Sequence, residues 1–163
     1  MFLIKLYIVF VQQLILIKQM ENIKLYELKK VQTEFPKEKI TSSESSAKFI
    51  KMFYGDDIGI FESCFILLLN QSNDTIGYAK ISQGGITGAI IDIRLIAKYA
   101  IESLATSVIL AHNHPSGSLS PSQSDIGSTK KVKDGLALLD IKLLDHIILT
   151  EEGYFSLADN NLL

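Results

Sequence analysis

Three side chains in the last third of the chain have the types and spacing to hold a metal ion. His112 and His114 stand in Ala111-His112-Asn113-His114-Pro115, where an apolar strand ends. Side chains two apart on an extended segment project to the same side, so both imidazoles can offer a nitrogen to one ion. Neutral imidazole is a good zinc ligand. Ser120-Pro121-Ser122-Gln123 reads as a helix start, with Ser120 as cap, Pro121 in the first position and Gln123 completing the box. Asp125 then falls on the second turn of that helix, and Ser122, three residues earlier, shares its face. Two imidazoles and one carboxylate make three protein ligands and leave a fourth zinc position for water, the arrangement of a catalytic rather than a structural site. That water needs a group to take its proton during attack and pass it to the leaving amine. Among carboxylates near the start of an apolar strand, Glu62 is the best placed, directly ahead of the run Cys64 to Leu69, although spacing alone leaves the choice open. His146, which follows Asp145 ahead of Ile147-Ile148-Leu149, reads instead as a structural, hydrogen-bonded histidine.

The elements that must position these residues follow from pattern. Thr41-Ser42-Ser43-Glu44 matches a capping box and predicts a helix to about Phe53, with Ala47, Ile50 and Phe53 inward. Lys24 to Phe35 reads as a short strand or extended arm closed by Pro36. Cys64 to Leu69 has strand length, Asn70 to Asp74 is a turn cluster, and Thr75 to Ser82 is a second strand, so the two are expected to pair as a hairpin. Gly84-Gly85 and Gly88 end that strand as turn residues; no Lys-Ser or Lys-Thr follows to make a phosphate loop. Asp92 caps the next helix, whose apolar positions Ile93, Ile96, Ala100, Ile101 and Leu104 recur at helical spacing. Ser107 to Ala111 is a short buried strand that delivers the histidines. Glu151-Glu152-Gly153 turns a C-terminal hairpin into Tyr154-Phe155-Ser156.

Length and composition bound the rest. A chain of 163 residues, 47% of them hydrophobic, has material for one compact domain with one core. Sixteen basic and eighteen acidic side chains leave a net charge of −2, so the basic excess typical of phosphate-backbone binding is missing. Lys130, Lys131 and Lys133 read as a solvated helix face. The single cysteine, Cys64, rules out a disulfide framework and Cys-based zinc clusters, fits the cytosol, and reads as a small buried side chain. Met1 to Gln19 differs sharply in composition from the rest of the chain and is expected to be an extension outside the domain, with Met20 as the functional start. Only twelve residues separate Lys5 from Lys18, too few for a membrane span of about 20, and no signal-peptide cleavage site comes after them. The expected organisation is an extension over 1–19, an arm over 20–40 and a domain over 41–163.

His112-Asn113-His114-Pro115-Ser116-Gly117, then Pro121-Ser122, Asp125 and Thr129, then Leu144-Asp145-His146-Ile147-Ile148, resemble the RadC family of the JAMM (MPN) metalloproteins. That group's pattern is a glutamate followed by H-x-H, seven residues, Ser, two residues and Asp, and the step from His114 to Ser122 to Asp125 fits it without a gap. The similarity runs from about Glu62 to Ala158 and takes in Gly84 to Gly88, Asp92 and Arg94. It implies an α/β fold, a curved mixed β-sheet flanked by helices in a cytidine-deaminase-like layered architecture. It also implies zinc on His112, His114 and Asp125, Ser122 near the scissile carbonyl oxygen, and Glu62 as acid/base. Arg94, the one arginine, is open to two readings, an anion contact or a salt bridge fixing a helix start.

The reading favoured on these grounds is a zinc-dependent peptidase or isopeptidase-like hydrolase acting on an unidentified protein or peptide. The alternative is a non-enzymatic domain that keeps its metal for stability and acts in DNA repair or recombination through partners. Longer members of the resembled family carry a helical DNA-binding-type region ahead of the metal domain. Here some forty residues precede the first predicted helix, so DNA association does not carry over with the resemblance. A nucleobase deaminase is discounted, because the H-x-E and P-C-x-x-C signatures are absent.

Overall fold

The computed structural model describes residues 29–56, 58–84 and 91–163, and residues 34–163 form one compact unit. The expected extension over Met1 to Gln19, the first part of the arm and the glycine turn at Gly85 and Gly88 lie outside the described residues. The unit is built on a five-stranded sheet in the order β2-β1-β3-β4-β5, with β1 Ser63–Leu69, β2 Thr75–Gln83, β3 Ser107–Asn113, β4 Lys142–Leu149 and β5 Tyr154–Ser156. β1 pairs antiparallel with both β2 and β3, β3 runs parallel to β4, and β4 and β5 form the expected C-terminal hairpin. The sheet is therefore mixed, as the family resemblance implies.

Three helices complete the unit among the described residues: α1 Ser43–Lys51, α2 Ile93–Ser103 and α3 Gln123–Ala137. They divide between the faces of the sheet because successive strand side chains point to opposite sides. From β1, Cys64, Ile66 and Leu68 pack with Ile96 and Ala100 of α2 and Val132 and Leu136 of α3. Leu67 and Leu69 go the other way and meet Ala47, Phe49 and Ile50 of α1. A central strand buried on both faces has no polar alternation to show, which is why Cys64 to Leu69 reads as an unbroken apolar run. Cys64 is itself fully buried, as expected; burial first, and then the charge of Glu62, push its thiol up to about 12, outside nucleophile range.

Several local expectations shift. The cap of α1 is Ser42 rather than Thr41: its hydroxyl accepts from the Ser45 N–H at 3.1 Å, and the Ser45 hydroxyl accepts from the Ser42 N–H at 3.0 Å. Three consecutive cap-competent residues, Thr41, Ser42 and Ser43, made the sequence signal degenerate. α1 ends at Lys51, and Phe53 lies beyond it, half-buried and stacked on Tyr78 with ring centroids 4.0 Å apart. No strand forms over 29–35; the extended contact comes later, where Lys39 bridges Asp74. In α2 Asp92 caps as expected, but only Ile96 and Ala100 are fully inside. Ile101 is exposed, and Leu104 is the left-handed residue that ends the helix, at φ 57°. The two helical faces cover the sheet with a narrow stripe, so apolar periodicity overstates what is buried.

Candidate metal centre

β3 continues two residues past its expected end, so His112 and Asn113 belong to the strand and His114 comes directly after it, its N–H still donating to the Leu149 carbonyl at 2.8 Å. The chain then turns through Gly117, whose φ of 78° suits a residue without Cβ. α3 begins after the cap Ser122, not after Ser120. Ser122 accepts from the Asp125 N–H at 3.1 Å, while Asp125 Oδ2 accepts from the Ser122 N–H at 2.6 Å. This reciprocal box places Asp125 in the first turn rather than the second and orients its carboxylate. Ser120 and Ser122 are both competent caps with a box-completing side chain three residues on, Gln123 and Asp125, and the box that forms is that of Ser122 and Asp125.

The structure brings His112, His114 and Asp125 together. His112 Nε2 lies 2.9 Å from His114 Nε2 and 3.4 Å from Asp125 Oδ1, and His114 Nε2 lies 3.7 Å from Asp125 Oδ2. Ligand atoms on a tetrahedral ion with bonds of about 2.0–2.2 Å stand roughly 3.3–3.6 Å apart, so the three residues have the spacing to hold one after small shifts. They form the one His/Asp/Glu/Cys cluster with metal-binding spacing among the described residues. Buried His112 opens on one side toward half-buried His114 and Asp125, a corner between the end of a strand and the start of the next helix.

The electrostatics suit a cation. Burial lowers the His112 pKa to about 4, with neighbouring His114 adding to the effect and Asp125 opposing it, so this ring is neutral at physiological pH. The hydrogen bond to Asp125 raises His114 above an ordinary histidine against a smaller burial effect, and the charge of Glu62 adds to the rise. Burial pushes the Asp125 carboxyl up, but its hydrogen bonds with His114 and Ser122 overcome this and hold it well below the usual carboxylate range. The His114 Nδ1 lies 2.7 Å from the Ser118 carbonyl, which can only accept, so Nδ1 carries a hydrogen and Nε2 is the atom turned to the cluster.

Glu62 is half-buried and directly ahead of β1, with its carbonyl accepting from the Gly84 N–H at 2.8 Å. Sequence reasoning missed what fixes it. Asn113, fully buried, donates through Nδ2 to the carbonyls of Ile58 and Phe61 and accepts at Oδ1 from the Ser63 N–H at 2.7 Å. One amide thus clamps the chain on both sides of Glu62. The signal was present: strand alternation sends the residue between two same-side histidines to the opposite face. Also missed was the link behind His112, whose Nδ1 lies 2.7 Å from His146 Nε2 while His146 Nδ1 lies 2.5 Å from Thr129 Oγ1. His146 is, as expected, a buried hydrogen-bonded residue, but it touches the cluster directly. Arg94 pairs with Asp92 through two hydrogen bonds of 3.0 and 2.6 Å at the start of α2, the salt-bridge reading rather than an anion contact. Lys130, Lys131 and Lys133 are exposed on α3, as expected. No helix among the described residues is long and apolar enough to cross a membrane.

Residues 40–162 match the family model for the RadC-like JAB domain. The chain is 45% identical over 124 residues to a UPF0758 protein of Flavobacterium johnsoniae, covering 76% of this chain and 53% of that protein. It is 42% identical over 132 residues to a UPF0758 protein of Porphyromonas gingivalis, covering 80% of this chain and 57% of that protein. A UPF0758 protein of Marinobacter nauticus is 40% identical over 97 residues, 60% of this chain and 43% of that protein. The chain thus spans about half the length of these relatives. The mixed sheet with helices on both faces agrees with a JAB/MPN fold, and on the domain match and these identities the chain belongs to the RadC family.

Proposed function

We propose that this protein is a zinc-dependent hydrolase that cleaves a peptide or isopeptide-like amide bond in the cytoplasm, with His112, His114 and Asp125 as the zinc ligands. The observation that carries the reading is the convergence of two imidazole Nε2 atoms and one carboxylate at mutual separations of 2.9, 3.4 and 3.7 Å. Two nitrogens and an oxygen are a donor set that zinc accepts, and three protein ligands leave room for a substrate or water. Zinc supplies Lewis acidity there, polarising a carbonyl and bringing the pKa of a water to about 7. The remaining work belongs to the side chains. Glu62 takes the proton of the attacking water and returns it to the leaving amine. Its charge reaches the cluster, since it raises the His114 pKa, and the Asn113 clamp holds its backbone in place. Ser122 accepts from the Asp125 N–H, and its hydroxyl hydrogen, which also reaches the Asp125 carboxylate, would turn to the oxygen of the scissile carbonyl.

Metal analysis of the purified protein and comparison of peptide-library cleavage by the wild type and Glu62→Gln test this reading. One zinc per chain is expected in both, lost in His112→Ala and Asp125→Ala, with new peptide termini generated by the wild type alone. A protein that takes up no zinc, or a Glu62→Gln variant that cleaves as fast as the wild type, would overturn the assignment.

A further inference from the structure

The hydrogen bonds behind His112 have a direction that can be read from acceptor chemistry alone. The Thr129 hydroxyl lies 2.6 Å from the main-chain carbonyl of Asp125, one helical turn earlier. A carbonyl oxygen can only accept, so the single hydroxyl hydrogen of Thr129 is committed there. At its second contact, 2.5 Å from His146 Nδ1, Thr129 must therefore accept, which places a hydrogen on His146 Nδ1. His146 is fully buried and, among the described residues, its ring nitrogens meet only the Thr129 hydroxyl and the His112 ring, with no carboxylate bonded to either to balance a second ring hydrogen, so its Nε2 carries a lone pair. That lone pair faces His112 Nδ1 at 2.7 Å, which must then be the protonated nitrogen of its ring. His112 Nε2 is left as a bare lone pair, turned toward His114 and Asp125.

We infer that Thr129 and His146 are positioning residues forming a one-way hydrogen-bond relay, anchored on the Asp125 carbonyl, that locks His112 in the tautomer whose Nε2 lone pair faces the metal cluster. Both ends of the relay converge on one residue: the main chain of Asp125 sets the polarity, and its carboxylate is the third member of the cluster. α3 thus contributes to the site twice, at Asp125 and again at Thr129 on the same face. A histidine ligand held through its other ring nitrogen needs no search among tautomers when an ion arrives, and loss of such a partner typically weakens metal binding by about 10–100-fold.

The inference rests on the metal reading for its purpose but not for its test. Ring ¹⁵N shifts of the zinc-free wild-type protein at neutral pH should show His112 protonated on Nδ1 and bare on Nε2. Thr129→Val keeps the shape of the side chain and removes the acceptor. A buried N–H without a partner is costly, so His146 then moves its hydrogen to Nε2, donates to His112 Nδ1 and drives the His112 hydrogen toward the cluster. Loss of the Nδ1–H form in Thr129→Val is expected, with about a 10–100-fold weaker affinity for added zinc chloride; Thr129→Ser restores both. A wild-type His112 protonated on Nε2, or a Thr129→Val variant with an unchanged His112 tautomer, overturns the relay. Because the wild-type spectrum alone decides its direction, a poorly folded variant does not rescue the inference. Zinc titration of the wild type is a separate readout: failure to bind removes the metal reading and leaves the relay standing, whereas tight binding with the wrong tautomer does the reverse.

Discussion

Replacing Asn113 tests how the loop ahead of β1 is held. Its amide satisfies three backbone groups at once: the Ser63 N–H, and the Ile58 and Phe61 carbonyls. In Asn113→Ala the Ser63 N–H loses its partner in a buried strand start, and the Ile58 carbonyl loses its own under a buried residue, whereas water can reach the carbonyl of exposed Phe61. Each buried group left unpaired costs about 1–3 kcal/mol, so two of them plus a small void give about 3 kcal/mol. That is roughly a hundredfold in the folding equilibrium, and with a urea m-value of about 2 kcal/mol/M it lowers the denaturation midpoint by about 1.5 M. Asn113→Asp is nearly isosteric and separates packing from polarity. It keeps an acceptor for Ser63 but turns an oxygen toward two carbonyls, so it is expected to be at least as damaging as Asn113→Ala. Urea unfolding followed by circular dichroism gives both numbers, and zinc titration of the two variants checks that the histidines on either side still converge. If both variants unfold within about 0.5 kcal/mol of the wild type, the range of ordinary surface changes, the clamp does not hold the loop.

Two further outcomes concern the helices. Gly127 lies inside α3 with open space where a methyl group would stand, so Gly127→Ala should stabilise by about 0.5–1 kcal/mol through backbone entropy. Gly135→Ala offers the same entropy but would drive its methyl into Ile93 Cδ1, so its gain in thermal denaturation should be smaller or reversed; equal gains would refute the packing argument. At the start of α2, the Arg94 hydrogen bonds lower the Asp92 carboxyl to about 2. A carboxylate depressed on folding contributes stability that is present above its unfolded pKa of about 3.9 and is lost as pH falls through the folded value. Between about pH 4 and pH 2, Arg94→Ala should therefore flatten the acid-unfolding profile, measured at low salt because the pair is on the surface.

The convergence of His112, His114 and Asp125 was more legible than the element boundaries, for a physical reason. Two histidines on one side of a strand end and a carboxylate eleven residues beyond the second leave a trace in sequence because strand alternation and helix periodicity are fixed geometry. The hairpin β1–β2, the Asp92 cap and the C-terminal turn were equally plain, each carried by a local signal. Caps at Ser42 and Ser122 were misread by one and two residues because each stretch offers several equivalent hydroxyls and more than one box-completing side chain three residues on, Glu44 or Ser45 and Gln123 or Asp125. The inward face of α2 was overstated because apolar spacing cannot tell a stripe that meets the sheet from one at its margin, where Ile101 sits. The pairing of His112 with His146 had no local signal, since it depends on β4 lying parallel beside β3.

That parallel pairing explains why residues 112 and 113 can serve two different parts of the site without interfering. Along β3, Leu110 faces the core under α2 and α3, and Ile109 and Ala111 face the core under α1. Alternation then sends His112 to the α3 side, where His146 and Thr129 stand behind it, and Asn113 to the α1 side, where the loop carrying Glu62 begins. The register is held on both flanks, by Cys64 opposite His112 on β1 and by Ile148 opposite His112 on β4. Sliding β3 by one residue would exchange the faces and put an amide into the cluster and an imidazole under the loop. The unbroken burial of Ser107–Asn113 opposes such a slip, because apolar residues on both faces anchor the strand from either side. The same run that forms the middle of the core therefore sets the direction of the His112 imidazole at its end, and core substitutions at Leu110 or Ala111 are expected to act on the His112, His114 and Asp125 cluster through register rather than through contact.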